Sequence, residues 1–124
     1  MVPQRICARV AMRRPVSYQD AQGHGEGVIL DLSLRGCRIA GAPPFSCGAR
    51  LRLELWLPDQ LQPAKVEQAV VRWVHHDQCG VSFSKVQPEA RARLRHVFTL
   101  LHEAEHSEGL VPRRREARTK FEAS

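Results

Sequence analysis

Two short groups of residues in the first third of the chain carry side chains suited to binding an anion. Arg5 and Arg9 are four positions apart, and a guanidinium is a planar fork that grips a phosphate through two hydrogen bonds. Asp31, Ser33 and Gly36 form the second group. The carboxylate accepts hydrogen bonds, the hydroxyl adds a polar contact, and the glycine allows either a positive φ or a close backbone approach. Together the two groups predict a binding site.

The composition fits one small globular domain with an anionic partner. The chain has 124 residues, of which 43% are hydrophobic, so it can bury one limited core. Nineteen basic residues against 13 acidic ones give a net charge of +6, which favours phosphorylated ligands or other anions. No apolar run approaches the roughly 20 residues of a membrane span, and the N-terminus lacks a signal-peptide core. We therefore expect a cytoplasmic protein without a membrane span.

Most of the chain carries the pattern of short strands separated by turns. Along residues 50–57 the leucines Leu51, Leu53, Leu55 and Leu57 alternate with other residues, which is the period of a half-buried strand. Further strands are predicted at 16–19, 27–32, 36–40, 65–74 and 80–83, with a polar turn over 22–25. The alternation within 65–74 places Trp73 on one face with Ala69 and Val71. Closely spaced strands of this kind are typical of an antiparallel barrel or sandwich.

A helix is predicted to begin at Pro88, because proline is tolerated in the first helical turn. Leu94, Val97, Phe98 and Leu101 form one apolar stripe, and Glu89 is expected to pair with Arg93 on the outer surface. The predicted organisation is a basic N-terminal arm over 1–14, a barrel with its helix over 15–106, and a basic disordered tail over 107–124.

The two groups of residues, taken with this strand pattern, resemble the PilZ family. Its signature is RxxxR followed by (D/N)xSxxG, and the matching segments are Arg5-Ile6-Cys7-Ala8-Arg9 and Asp31-Leu32-Ser33-Leu34-Arg35-Gly36. The resemblance covers about residues 4–101. It implies a six-stranded antiparallel β-barrel capped by a C-terminal α-helix, with cyclic di-GMP bound by Arg5, Arg9, Asp31, Ser33 and Gly36.

The register of the arginine motif requires a choice, because Arg9 and Arg13 also form an RxxxR pair. In the family an alternating apolar stretch follows the second arginine and leads to the first strand. The run from Val10 to Met12 before Pro15 fits that layout after Arg9, whereas Arg13 is followed directly by another arginine. We therefore assign the motif to Arg5 and Arg9, with Arg13 as the alternative.

Cyclic di-GMP matches these side chains chemically. Arginine pairs with its phosphates or with guanine O6 and N7, and a carboxylate accepts from guanine N1–H and N2–H₂. Further contacts are expected from Arg35 and Arg38, which lie in or beside the second motif, and from Arg13. Trp73 is expected to border a guanine.

No enzyme activity, metal or cofactor is expected. The sequence offers no nucleophile with a recognisable base and no phosphate-binding glycine loop. His102 and His106 have helical spacing for zinc, but no third ligand is evident. The four cysteines form no CxxC pair and are interpreted as reduced thiols.

Two functional hypotheses follow. In the first, the chain binds cyclic di-GMP, and the ordering of the N-terminal arm relays that signal to a downstream partner protein of unknown identity. The alternative is a PilZ-like adaptor that binds protein or nucleic acid and not the nucleotide. Nucleic acid is not the expected partner, because the basic tail is interpreted as a solvated segment.

Overall fold

The computed structural model describes residues 8–41 and 45–110. The elements in chain order are β1 (Val10–Asp20), β2 (Gly23–Leu32), β3 (Gly36–Ala40), β4 (Arg50–Leu55), β5 (Ala64–His75), β6 (Gln78–Lys85) and α1 (Pro88–Leu110). Adjacent strands are antiparallel, and the sheet closes on itself in the order β1-β2-β3-β6-β5-β4. The predicted six-stranded antiparallel barrel with one C-terminal helix is confirmed.

The barrel interior is filled by the inward-facing side chains of all six strands. In β4 the alternation predicted from sequence is realised: Leu51, Leu53 and Leu55 are at most 2% exposed, and Arg50 and Arg52 face solvent. Burying the leucines removes apolar area from water while the arginines keep their hydration. The strand pattern of this segment therefore fixes which face of the sheet is available for a ligand.

Helix α1 lies against β5 and β1 and closes the barrel with its apolar stripe. Leu94 and Val97 are at most 3% exposed, and Phe98 and Leu101 pack against the edge of the same core. The predicted stripe is confirmed, although the helix extends to Leu110, beyond the predicted end at residue 106. Within the described residues, no helix combines the length and the apolarity that crossing a bilayer requires.

The first strand begins earlier than the sequence predicted. Residues 10–14, which we assigned to the arm, belong to β1: Val10 is fully buried and is paired with Leu32 of β2. The register shifts between Ala11 and Arg14, and such an irregularity interrupts the alternation of faces. A strand interrupted in this way shows no clean period of two, which is why the sequence pattern did not reveal it.

The turn between β1 and β2 is also shorter than predicted. Strand β2 begins at Gly23, so the predicted turn residues from Gly23 onward are already paired with β1. The Asp20 carboxylate accepts hydrogen bonds from the backbone amides of Gln22 and Gly23, at 2.9 and 3.0 Å. A side chain that satisfies two turn amides lets the chain reverse within two residues.

The predicted ion pair between Glu89 and Arg93 is wrong, because Arg93 binds Asp59 instead. Arg93 donates to both carboxylate oxygens of Asp59, from Nε at 3.1 and 3.2 Å and from Nη2 at 2.9 Å. The two side chains are only 12% and 14% exposed. A forked and largely buried arginine–carboxylate pair is stronger than a solvated ion pair on the helix surface. The Arg93–Asp59 pair also ties α1 to the loop after β4.

Replacing Asp59 by asparagine is expected to lower the free energy of unfolding at pH 7 by about 1.5–3 kcal/mol. Burial opposes ionisation, but the hydrogen bonds and charge of Arg93 outweigh it and lower the pKa of Asp59. The stabilisation is therefore complete above the unfolded-state pKa of about 3.9 and is lost as pH falls through the lower folded-state pKa. Urea unfolding at pH 7 and near pH 3 measures both effects, with the exposed Glu103→Gln variant as control. Equal stability of the parent and the asparagine variant at pH 7 would contradict this account.

The thiols of Cys37, Cys47 and Cys79 are free, and Cys7 lies outside the described residues. Burial raises the pKa of Cys37 and Cys79, and for Cys37 the neighbouring Cys79 and Asp31 raise it further. These two side chains are therefore neutral members of the core.

Candidate ligand-binding site

A cavity of about 190 Å³ opens on the outer face of the barrel beside the β2–β3 turn. Its lining residues are Arg9, Ser33, Arg35, Gly36, Arg72, Trp73, Gly80, Val81 and Ser82. Three of these side chains are arginines, and no acidic side chain is found among the described lining residues. The cavity is therefore positively charged and suited to an anionic ligand.

The strand register explains why residues far apart in sequence meet there. Gly36 of β3 is opposite Ser82 of β6, and Gly80 of β6 is opposite Trp73 of β5. Neighbouring strands are about 4.8 Å apart, so three of them present a wall roughly 10 Å wide. The closed barrel holds this wall in place from behind.

Ser33 builds the turn that forms one side of the cavity. Its hydroxyl accepts hydrogen bonds from the backbone amides of Arg35 and Gly36, at 3.2 and 3.1 Å, and donates to the Gly36 carbonyl at 3.2 Å. The residue is 2% exposed. The sequence predicted a polar ligand contact for Ser33. In the structure its hydroxyl is used within the turn that places the neighbouring residues.

Gly36 is required for close approach and not for its backbone angle. Within the described part of the chain the glycines with positive φ are Gly23, Gly41 and Gly48. A Cβ built on Gly36 would instead collide with the carbonyl oxygen of Val81 on β6. Of the two reasons considered for this glycine, the structure therefore supports the close approach of two strands.

Asp31 of the second motif binds two arginines, and one of them is Arg9 of the first motif. Arg9 Nη1 donates to Asp31 Oδ1 at 3.0 Å, and Arg38 Nε donates to Asp31 Oδ2 at 3.0 Å. Asp31 is 8% exposed, whereas the side chains of Arg9 and Arg38 are 49% and 40% exposed. Neither Asp31 nor Arg38 is among the described residues that line the cavity. Their geometry connects them to the site through Arg9.

Trp73 faces the cavity because β5 is irregular. The sequence placed it on one face with Ala69 and Val71, which are buried in the core. The β5–β6 register shifts between Val71 and Trp73, and Trp73 is 40% exposed. Its indole lies over Gly80, where a Cβ would collide with indole Nε1. A bulge thus re-aims an aromatic ring onto the outer wall, and the assignment of its face is corrected.

Arg72 and Ser82 line the cavity but were missed by the sequence analysis. Arg72 Nε donates to Ser82 Oγ at 2.8 Å, which fixes one edge of the guanidinium. Arg72 stands next to Trp73 in the sequence, but a charged residue on a strand normally only faces water. Finding it required the β5–β6 pairing, which a single sequence does not give.

Most of the predicted site residues meet at this place on the barrel. Five of them line the cavity, namely Arg9, Ser33, Arg35, Gly36 and Trp73. Asp31 bonds to Arg9, and Arg38 bonds to Asp31. Arg13 is exposed on β1 and is not among the described lining residues. Arg5 lies outside the described residues.

The family model of the PilZ domain matches residues 3–99 of the chain. That match covers most of the 124 residues and includes both motifs and the six strands. The chain therefore belongs to the PilZ family.

Solved structures show the same fold at low sequence identity. The PilZ domain with c-di-GMP of YcgR from Escherichia coli has a TM-score of 0.64 and 17% identity, with 95% of this chain and 97% of that chain covered. The Bacillus subtilis inhibitor of motility MotI/DgrA has a TM-score of 0.68 and 16% identity, with 86% and 53% covered. The K. pneumonia MrkH–c-di-GMP complex has a TM-score of 0.65 and 18% identity, with 86% and 56% covered.

The chain spans about half the length of MotI/DgrA and of MrkH, and nearly all of the YcgR PilZ domain. At these identities the likeness establishes the fold. No curated protein matches the chain.

Proposed function

We propose that this chain is a receptor for cyclic di-GMP and performs no catalysis. The observation that carries the proposal is the positive cavity in which Arg9 of the first motif meets the Ser33–Gly36 turn of the second. Membership of the PilZ family and the neighbours that are complexes with c-di-GMP support the choice of ligand.

The charged groups of the cavity suit the two phosphates and two guanines of this ligand. Arg9 and Arg72 lie on the wall with N–H donors that phosphate oxygens or guanine O6 and N7 accept. The exposed Trp73 indole offers a flat apolar surface for stacking a purine. A volume of about 190 Å³ is below the roughly 300–1,000 Å³ of a pocket that encloses a small ligand. The cavity therefore takes one part of the dinucleotide, and the remainder lies along the outer face of the barrel.

The roles of the motif residues divide into contact and support. Arg9 is the principal contact, and Arg5 is proposed beside it on the strength of the family motif. Asp31 supports Arg9, and its contact with guanine N–H groups is proposed, like that of Arg5, on the strength of the family motif. Ser33 and Gly36 shape the turn, while Arg35, Arg72 and Trp73 complete the wall.

Isothermal titration with cyclic di-GMP tests the proposal, with cyclic di-AMP and GMP as control ligands. We expect saturable heat with cyclic di-GMP only, because adenine presents N6–H₂ where guanine presents O6. At a ligand concentration of a hundred times Kd the domain gains about 2.7 kcal/mol, which raises Tm by roughly 10 °C. The absence of both binding heat and a Tm shift would support the alternative, which is a PilZ adaptor that does not bind the nucleotide.

The output to a partner protein is proposed to come from the N-terminal arm. Residues 10–14 are already strand, so the segment that responds to the ligand is limited to residues 1–9. Arg9 already lines the cavity, so the charge of the ligand would act through Arg5. It would draw the residues before Arg9 onto the cavity, and these residues would thereby form part of a new surface. Hydrogen exchange should show increased protection of residues 1–9 with cyclic di-GMP. Equal protection with and without the ligand would exclude this relay.

A further inference from the structure

Asp31 is a buried carboxylate with one arginine on each oxygen, and the two arginines differ in how they are held. Arg38 is the cross-strand neighbour of Asp31 on β3 and also reaches Gln78 of β6, with Nη1 at 3.4 Å from Oε1. It is therefore anchored on both sides. Arg9 precedes β1, and within the described part of the chain Asp31 is the only side chain that bonds it.

The single bond from Arg9 leaves most of its donors available. A guanidinium has five N–H donors, and Arg9 uses Nη1 for Asp31 Oδ1. The others remain for the cavity that Arg9 lines. An arginine that is already held at one end of its guanidinium before binding loses less conformational entropy when the ligand arrives.

Arg38 determines whether Arg9 keeps a single bond to Asp31 and leaves its other donors available. It satisfies Asp31 Oδ2, so this oxygen does not require a second donor. Without Arg38, the buried Oδ2 would need another partner, because an unsatisfied buried carboxylate oxygen is costly. Among the described residues, Arg9 is the other side chain that donates to this carboxylate, and a forked Arg9–Asp31 pair would withdraw its remaining donors from the ligand.

We propose that Arg38 is a positioning residue, which fixes the Asp31 carboxylate so that Arg9 keeps its free donors for the ligand. The proposal rests on the proposed function. It gives Arg38 a role that differs from the direct contact expected for it from its position beside the motif.

A double-mutant cycle measures this role. Arg38→Met keeps the aliphatic stem and removes the donors, and we expect it to weaken cyclic di-GMP binding about tenfold. In an Asp31→Asn background the same replacement should change affinity less than about twofold, because its effect passes through the carboxylate. Arg95→Met, which removes one exposed arginine from α1, should change affinity little. A tenfold loss from Arg38→Met in both backgrounds would overturn the proposal and indicate direct contact.

A measurement without nucleotide separates this proposal from the proposed function. The ¹⁵N relaxation of Arg9 Nε reports the order of its side chain. Because Asp31 loses its anchor in Arg38→Met, the forked or displaced Arg9 should show a changed Nε environment and order, while Arg95→Met should leave the signal as in the parent. An unchanged Arg9 signal in Arg38→Met would overturn the proposal even if the parent binds cyclic di-GMP. If the Arg9 signal changed in Arg38→Met but the parent bound no cyclic di-GMP, the positioning of Arg9 would be upheld and the receptor function would be rejected.

Discussion

Replacing Arg9 by alanine is expected to reduce the affinity for cyclic di-GMP by at least about thirtyfold, the equivalent of about 2 kcal/mol. Among the described residues of the first motif, Arg9 is the one that lines the cavity, and it also bonds the buried Asp31. Its loss removes a charge-assisted contact to the ligand and leaves Asp31 with Arg38 alone. Isothermal titration of both proteins measures the loss, with thermal unfolding to establish that the variant is folded.

Two further alanine variants make this test specific and decide the motif register. Arg5→Ala is expected to weaken binding strongly, because the motif is assigned to Arg5 and Arg9. Arg13→Ala removes the same charge from an exposed position on β1 and is expected to change affinity less than about threefold, through screened long-range attraction only. A larger loss with Arg13→Ala than with Arg5→Ala would reverse the register. Full affinity of Arg9→Ala would reject Arg9 as a ligand contact in either register.

Replacing Gly36 by alanine is expected to lower the free energy of unfolding by about 3 kcal/mol, at the upper end of the range for overpacking. The added Cβ would collide with the Val81 carbonyl oxygen, which is backbone and cannot rotate away as a side chain can. Strands β3 and β6 would have to separate where Gly36 faces Ser82. Because the cavity wall is built on that pairing, binding of cyclic di-GMP should be lost together with stability. Urea unfolding and titration measure the two effects.

Leu34→Ala provides the matched control for the turn. Leu34 is in the same turn but is 45% exposed, so its replacement should change the free energy of unfolding by no more than about 0.5 kcal/mol. If Gly36→Ala unfolded at the same urea concentration as the parent, the close approach of β3 and β6 would not be a constraint. If both variants were equally destabilised, the effect would belong to the turn in general and not to that contact.

The parts of the fold that could be predicted were those with an uninterrupted period. The alternation over residues 50–57 and the apolar stripe of α1 both appear in the structure as the sequence indicated. The early start of β1 and the outward position of Trp73 were missed because register shifts change the face of the side chains within a strand. A local irregularity of this kind depends on the partner strand, and a single sequence does not specify the partner.

The candidate site shows the same division between local and non-local information. The turn from Ser33 to Gly36 was predictable because its hydrogen bonds join residues close in sequence. Outside the site, the preference of Arg93 for Asp59 over Glu89 was not predictable, because it depends on the loop after β4 meeting the start of α1. Arg72 was missed for the same reason, since its place beside Ser82 results from the pairing of β5 with β6.

The pairing of β1 with β4 has a consequence for how any partner recognises this domain. Because the six described strands form a closed ring, none of them is an edge strand along its whole length. Backbone groups stay open only at strand ends, such as residues 72–75 of β5 on the side of β4, which leaves little length for a partner strand to pair with. We therefore expect recognition to depend mainly on side chains of the outer faces, the turns and α1, or on segments outside the ring. Residues on those surfaces can be exchanged without repacking the interior. Homologous domains with the same barrel can therefore diverge in the proteins that they address while their cores remain alike.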